Sequence, residues 1–507
     1  MPEMPSEPDA THGSVAPTRL LFRKIVAGSS LYSLAIVGST LASIVLLPIN
    51  TRYLTRSDIG VLDLLEKISI AVSYLLGLNF SSAFGYFYFN RPSAEERSPV
   101  VGTMSAGSAI MGIFAGGLSW ILAAPLSRLV FASPDYAQYL RVIFLLMPLS
   151  FLLEAGMGWL RVEDRAPAFV AVSFLRIAIT ICGTVVAVAV LRLRVWGVLT
   201  VNLTAIAVLA VVVTVYCFRH YRFVFEWPLF VKILKFAVPL GLSGVAMFII
   251  HFGDRFIIPH YHPLGDLGIY SIAYKIGMLI SVVFSAFQTY WNAQVYQIAK
   301  REDANAVIGR TFSYMILILS LCLVGLIVTA KPALQILTTR TYWEAALLVP
   351  VIVAAYFVRA IGDFFRCVFL VEGRPGYDAA CNWIGAGVCL ISYFALIPQW
   401  GIWGAAFATL ITFTVIGVVS VIWAQRLKPF RVEVGRLTKI FLAAGLPLGA
   451  YFLVPVSSLP VEIAWSALLL LAYPLLLTIL RFPTPGEWGL VRSAVEKTRR
   501  AVGLVGP

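Results

Sequence analysis

Between Ile25 and Leu480 the sequence falls into fourteen apolar stretches separated by short connections. A helix rises about 1.5 Å per residue, so about 20 apolar residues cover the ~30 Å hydrocarbon core of a bilayer. Helices satisfy their own backbone hydrogen bonds in lipid, so fourteen such stretches restrict the chain to an all-α polytopic membrane protein. Of the 507 residues, 60% are hydrophobic and 13% are charged. A soluble domain has no interior large enough for that much apolar surface.

The connections supply the organisation. Residues 1–18 read as a disordered cytoplasmic tail. Arg23 and Lys24 precede the first stretch, Ile25–Leu47, but no small-residue cleavage site and polar mature domain follow, so an uncleaved first span is expected. Six spans make an N-terminal half, 19–218, and six more make a second half, 236–430. Between them, 219–235 is basic and aromatic and reads as an amphipathic cytoplasmic linker. Two additional helices occupy 431–481, and a basic cytoplasmic tail, 482–507, closes the chain. With the N-terminus inside, 25 Lys and Arg fall in tails and inner loops, against 9 in outer loops. That bias places both termini in the cytoplasm. It also accounts for the net charge of +14 without a nucleic-acid partner.

The two halves repeat one another. NTRYL (Asn50–Leu54) stands where GDRFI (Gly253–Ile257) stands later, and GVLDLLEK (Gly60–Lys67) where GIYSIAYK (Gly268–Lys275) does. Gly60 to Gly268 and Lys67 to Lys275 are both 208 residues apart. Further on, Glu154, Glu163 and Arg165 recur as Asp363, Glu372 and Arg374, each 209 residues later. RVWGVL (Arg194–Leu199) recurs as GIWGAA (Gly401–Ala406). Each repeat holds an even number of spans, so the halves enter the membrane in the same sense. Their axis is expected along the membrane normal, with a substrate path between them.

Charged side chains inside a bilayer are costly and normally face a bundle interior or a water-filled cavity. Arg52, Lys67, Arg255 and Lys275 are candidates for four cations lining a central cavity that suits an anionic substrate, above all a phosphate or pyrophosphate. The plainer reading is that the lysines snorkel or pair with Glu66 and other local acids. Arg359, Asp363 and Arg366 lie at i, i+4 and i+7 on one helix face. They are candidates for a gate, or for a cluster that neutralises itself. Arg176 faces Gly385 in the repeat and so has no counterpart; it reads either as substrate-facing or as paired with an acid. Glu66, Glu154 and Asp254 are candidates for ion coupling, although Arg255 adjoins Asp254 as a ready partner.

Other features exclude more than they suggest. His251, His260 and His262 with Asp266 match no metal-ligand spacing. The six cysteines form no CxxC pair and read as packing residues. There is no GxxxxGK[ST] loop for ATP, no catalytic motif and no sign of a cofactor. The outer loops are short, and Asp135 and Asp266 stand in no paired-carboxylate motif, which argues against a membrane glycosyltransferase or polymerase.

TRYLTRSDIG (Thr51–Gly60), FAVPLGLSG followed by DRFI, DLGIYSIAYK, LVEGRPGY (Leu370–Tyr377) and GIWGAA, in that order, carry a resemblance. They resemble the polysaccharide transporter branch, the Wzx-type flippases, of the multidrug/oligosaccharidyl-lipid/polysaccharide (MOP) exporter superfamily, from about residue 20 to 480. The resemblance implies a flippase of the bacterial inner membrane that moves undecaprenyl-pyrophosphate-linked oligosaccharides for surface polysaccharide synthesis. Its implied mechanism is alternating access through a cationic cavity lined by spans one, two, seven and eight, with spans thirteen and fourteen holding the polyprenyl tail. Implied partners are the lipid-linked substrate, membrane lipids, and a polymerase and chain-length regulator of the same pathway. A MATE-like exporter shares the architecture but prefers cationic substrates.

Overall fold

The computed structural model describes residues 38–76, 80–91, 93–456 and 458–482. Both tails expected at the ends, and most of the first span, lie outside them. Residues 38–45 are helical and lead into α1 (Leu47–Tyr53), followed by α2 (Arg56–Leu76), α3 (Phe80–Phe89) and α4 (Ala94–Ile121). Then come α5 (Ala123–Phe131), α6 (Ala137–Leu145), α7 (Met147–Val162), α8 (Ala166–Thr184) and α9 (Arg194–Phe218). The second half holds α10 (Trp227–Tyr261), α11 (Leu264–Gly277), α12 (Leu279–Ile298), α13 (Ala304–Leu337), α14 (Ala345–Val371) and α15 (Pro375–Leu427). Two helices, α16 (Val434–Leu453) and α17 (Leu459–Ile479), complete an all-helical arrangement among the described residues.

Nine described helices are long and apolar enough to cross a bilayer, or ten if α6 and α7, bent by 40°, form one crossing. Fourteen were expected, and three causes account for much of the difference. The first span is largely undescribed. The apolar run of α2 is interrupted by Asp63, Glu66 and Lys67. The 53-residue α15 holds two expected spans in one helix, yet Gly401 breaks it at φ 55°, ψ −129°. That conformation is open to glycine and strained for other residues. The His262 ring lies against Gly401, and its Nε2 donates to the Ile397 carbonyl at 2.9 Å, taking up an acceptor beside the break.

The segment expected as a linker is not a separate helix. Residues 222–226 are non-helical, and α10 then runs unbroken from Trp227 into the next span, with Pro228 in its first turn. The non-helical piece is anchored by side chains. Tyr221 donates to Glu163 at 2.7 Å and lies 2.8 Å from the Tyr88 hydroxyl. Burial and this bond to Glu163 push the Tyr221 hydroxyl up to about 12, so it remains a donor at neutral pH.

Local chemistry sets the start of α2. Thr55 and Asp58 form a reciprocal cap: the Thr55 N–H donates to Asp58 Oδ2 at 2.9 Å and the Asp58 N–H donates to Thr55 Oγ1 at 3.2 Å. Arg194, at the start of α9, donates to the same Asp58 oxygen at 2.7 Å. Four residues inside α2, Gly60 packs against the backbone carbonyl of Leu264. Gly268 packs in the same way against the carbonyl of Arg56. A Cβ at either glycine would overlap that oxygen, so this pair of helices crosses backbone to backbone. The contact is reciprocal, as a local twofold between the halves requires.

The same end of the molecule is closed by further bonds between the halves. Tyr342 donates to the Leu54 carbonyl at 2.9 Å and Thr339 donates to that of Thr51 at 3.3 Å. Arg56 donates to the Thr341 carbonyl and lies 3.5 Å from Glu344. Towards the other end, Phe236 stacks on Tyr86 at 4.9 Å between ring centres. The last helix, α17, packs on α13 through Ser466, which donates to the Val328 carbonyl at 2.7 Å, and through a Lys331–Glu462 pair at 2.9 Å.

Candidate functional site

The crossing of α2 and α11 carries the charges of the repeat towards the middle of the molecule. One turn beyond Gly60 comes Asp63, then Glu66 and Lys67. Lys67 Nζ lies 2.7 Å from Glu66 and 3.9 Å from Asp63. From α10, Arg255 reaches across the interface and donates from Nε to Asp63 at 3.1 Å. Its Nη1 donates to Asp254 at 2.8 Å, and the Tyr270 hydroxyl donates to the other Asp254 oxygen at 2.5 Å. The guanidinium also stands 4.2 Å from the centre of the Tyr274 ring. The Arg255 side chain is only 2% exposed. A buried guanidinium needs such partners, because desolvation costs it several kcal/mol.

These bonds decide which of the four expected cations is available. Arg255 is closed in by two carboxylates and lines neither of the two cavities described below. Lys67 is buried and held by two acids. Arg52 is exposed at the end of α1, outside the cavity described next. Only Lys275 of the four lines that cavity among the described residues. Helical register explains this. Lys67 and Lys275 are equivalent in sequence, but the acids at 63 and 66 are replaced by Ser271 and Tyr274, so only the first lysine is neutralised by its own helix.

The cavity measures about 550 Å³ and lies against α1, α2, α6, α7, α8, α9 and α11. Its polar groups are Asn50, Asp63, Glu66, Arg176, Asn202 and Lys275, together with several serines. The buried Asn50 Oδ1 has no hydrogen-bond partner among the described residues. A second chamber of about 790 Å³ lies within the N-terminal half and shares Glu66, Ser150, Arg176 and Asn202 with the first. Glu154 and Arg161 lie on the wall of the second. Arg176 thus faces both spaces, and Lys275, Arg176 and Glu154 make no ion pair within 4 Å among the described residues.

The second half places its charges differently. Arg359 Nε donates to Asp363 at 3.2 Å and Arg366 Nη1 donates to the same carboxylate at 3.3 Å. Arg366 continues to Asp378 at 2.6 Å and to Asn382 at 2.7 Å. This is a self-neutralising cluster, the second of the two readings of that i, i+4, i+7 motif. His251 lies 3.3 Å from Arg359 Nη1, while His262 holds the Ile397 carbonyl, so these two histidines are not gathered at one site.

Asp63, Asn50 and Asn202 were not singled out from the sequence. A signal for Asp63 was present: it lies four residues before Lys67, and the repeat has serine in its place. Asn202 carries no such mark, since an isolated amide in an apolar span has many bland explanations.

Fold and site together define an all-helical, multi-pass membrane protein with a cavity walled mainly by its first half and reached from the second by α11. Residues 51–347, more than half of the 507, match the family model described as "Polysaccharide biosynthesis protein". The chain belongs to that family. Among solved structures it is similar to the lipid II flippase MurJ in an inward closed conformation, at TM-score 0.73 and 15% identity, over 88% of this chain and 98% of that one. It is also similar to an inward-facing multidrug resistance MATE transporter of the MOP superfamily (TM-score 0.61, 18% identity, 76% and 94% covered). A third is a MOP superfamily transporter from Pyrococcus furiosus (TM-score 0.57, 16% identity, 80% and 95% covered). At these identities the likeness shows the fold. No curated protein sequence matches the chain.

Proposed function

We propose that this protein is a flippase that carries lipid-linked oligosaccharide units across the cytoplasmic membrane for surface polysaccharide synthesis. The observation that carries the reading is the central cavity of a polysaccharide biosynthesis protein, where Lys275 of the second half and Arg176 of the first line one space, neither in an ion pair within 4 Å among the described residues. With Asp63 held by Arg255 and Glu66 by Lys67, the two remaining cations favour a substrate with a negative headgroup, such as a pyrophosphate. Its lipid tail stays in the bilayer while the head enters the cavity. The distribution of Lys and Arg supports an orientation in which the end closed by Tyr342, Arg56 and the two glycines faces outward. In this arrangement the head enters from the cytoplasm, and the halves then rock to open the outer end. An inside-negative potential assists outward movement of negative charge by ~2.3 kcal/mol per charge per 100 mV.

A MATE-like export function is the second reading, favoured by the carboxylates of Asp63 and Glu66 on the cavity wall, which suit a cationic drug. Deleting the gene and complementing it separates the two. Loss of surface glycan, with complete lipid-linked units accumulating on the inner leaflet, supports the flippase. Unchanged glycan with altered sensitivity to cationic drugs supports the exporter. Loss of polymer while single units still reach the surface would make the protein a polymerase and overturn both.

A further inference from the structure

The duplication provides an internal comparison for the N-terminal chamber, because each of its walls has a counterpart 203 to 209 residues later. Glu154 corresponds to Asp363, Ser150 to Arg359, Met157 to Arg366, Ser173 to Asn382 and Arg176 to Gly385, all 209 positions apart. In the second half this region is filled. Arg359 and Arg366 bracket Asp363, and Asn382 completes the cluster by accepting from Arg366. At Gly385 a Cβ would collide with Ile416 and lie 3.2 Å from Ile250. The counterparts of those two isoleucines are Leu209, on the wall of the 790 Å³ chamber, and Leu47, on the wall of the central cavity.

The first half has therefore kept the acid, lost both bracketing arginines, and gained an arginine where the repeat has room only for glycine. Each change opens space or frees a charge. A packed ion cluster has become a chamber with a row of hydroxyls and with Glu66, Glu154, Arg161 and Arg176 on its wall, which form no ion pair with one another within 4 Å among the described residues. Ser43 and Ser173 donate to their own helix carbonyls, at 2.7 and 2.8 Å, so their oxygens remain as acceptors for an incoming hydroxyl.

We propose that this chamber is a sugar subsite whose anion anchor is Arg176, and that its ligand is an oligosaccharide bearing anionic oxygens, on a phosphate or on an acidic sugar. Glu154 and the serines accept from sugar hydroxyls, and the guanidinium takes the anion at the junction with the central cavity. The inference rests on the transport reading for its setting, but its test does not depend on transport. Binding is measured by calorimetry on the purified full-length protein, with pyrophosphate, trigalacturonic acid and neutral maltotriose as probes.

At least one charged probe is expected to bind, and Arg176→Gln to weaken it about tenfold or more, while Arg176→Lys retains part of the affinity. The better of pyrophosphate and trigalacturonic acid identifies the source of the charge. Met157→Arg, which transplants the bracketing residue of the second half, is expected to fill the chamber and weaken the same probe without lowering the melting temperature. Wild-type affinity in both Arg176→Gln and Met157→Arg, or no binding of either charged probe to the native protein, overturns the proposal. If surface glycan is still restored by the native gene in that event, the subsite alone is wrong. Failure of complementation with probe binding intact would instead overturn the transport reading.

Discussion

Gly60 and Gly268 each lie over a main-chain carbonyl four residues before the other, Leu264 for the first and Arg56 for the second. The two α2–α11 contacts are therefore one contact made twice. Added side chains meet backbone there, which cannot swing aside. Gly60→Ala and Gly268→Ala should each lower stability by about 1–3 kcal/mol, the usual cost of overpacking. Gly265, whose Cβ would meet nothing closer than 3.4 Å, provides the control. Thermal unfolding in detergent should show a clear drop for the first two and little change for Gly265→Ala.

Arg255 is held by carboxylates from both halves, and removing it leaves Asp63 and Asp254 with their charges buried. Arg255→Met should cost about 3–5 kcal/mol. Lys275→Met removes a charge that no ion pair holds among the described residues, and should fall within about 0.5 kcal/mol of the native protein. Similar melting temperatures for the two variants would contradict the assignment of Arg255 to structure and Lys275 to the cavity.

Transport should separate the two equivalent lysines. Lys275→Ala is expected to reduce restoration of surface glycan about tenfold at normal protein abundance, by removing a charge-assisted contact to the headgroup. Lys67→Ala should act mainly through abundance, since its charge is already spent on Asp63 and Glu66. Full transport by the Lys67→Ala, Lys275→Ala double variant would defeat the cationic-cavity account.

The break in α15 depends on glycine. Gly401→Ala forces an L-residue to φ 55°, ψ −129° and brings its Cβ to 3.2 Å from the His262 ring. A loss of about 1–3 kcal/mol is expected, read as a fall in melting temperature. His262→Ala should cost about 1 kcal/mol by leaving the Ile397 carbonyl without its donor.

Fold class was legible because hydrophobic length and charge bias are properties of single segments. The duplication was legible because glycines and charges kept their spacing, and Gly60 and Gly268 turn out to sit at the crossing itself. Partnership was harder to read. Lys67 and Lys275 look alike in sequence, and what distinguishes them is Asp63, together with the arrival of Arg255 from a helix far away in the chain. Arg176 was seen but left open, since its surroundings depend on α1, α7 and α9, which no local pattern brings together. The i, i+4, i+7 set at Arg359, Asp363 and Arg366 lies at the other extreme. Its principal contacts are within one helix, and the sequence alone already contained the neutralised reading.

The ion pair between Arg255 and Asp63 spans 192 residues of chain. A ribosome makes the chain in one direction, so Asp63 is complete long before its guanidinium exists. During that interval Lys67, one turn along the same helix, is the cation at hand. When α10 arrives, Asp63 gains a better-placed partner and the first half is joined to the second by charge. The first half made by itself would keep an acid suited to a residue it does not contain, so the duplicated halves are no longer two copies of a self-sufficient unit.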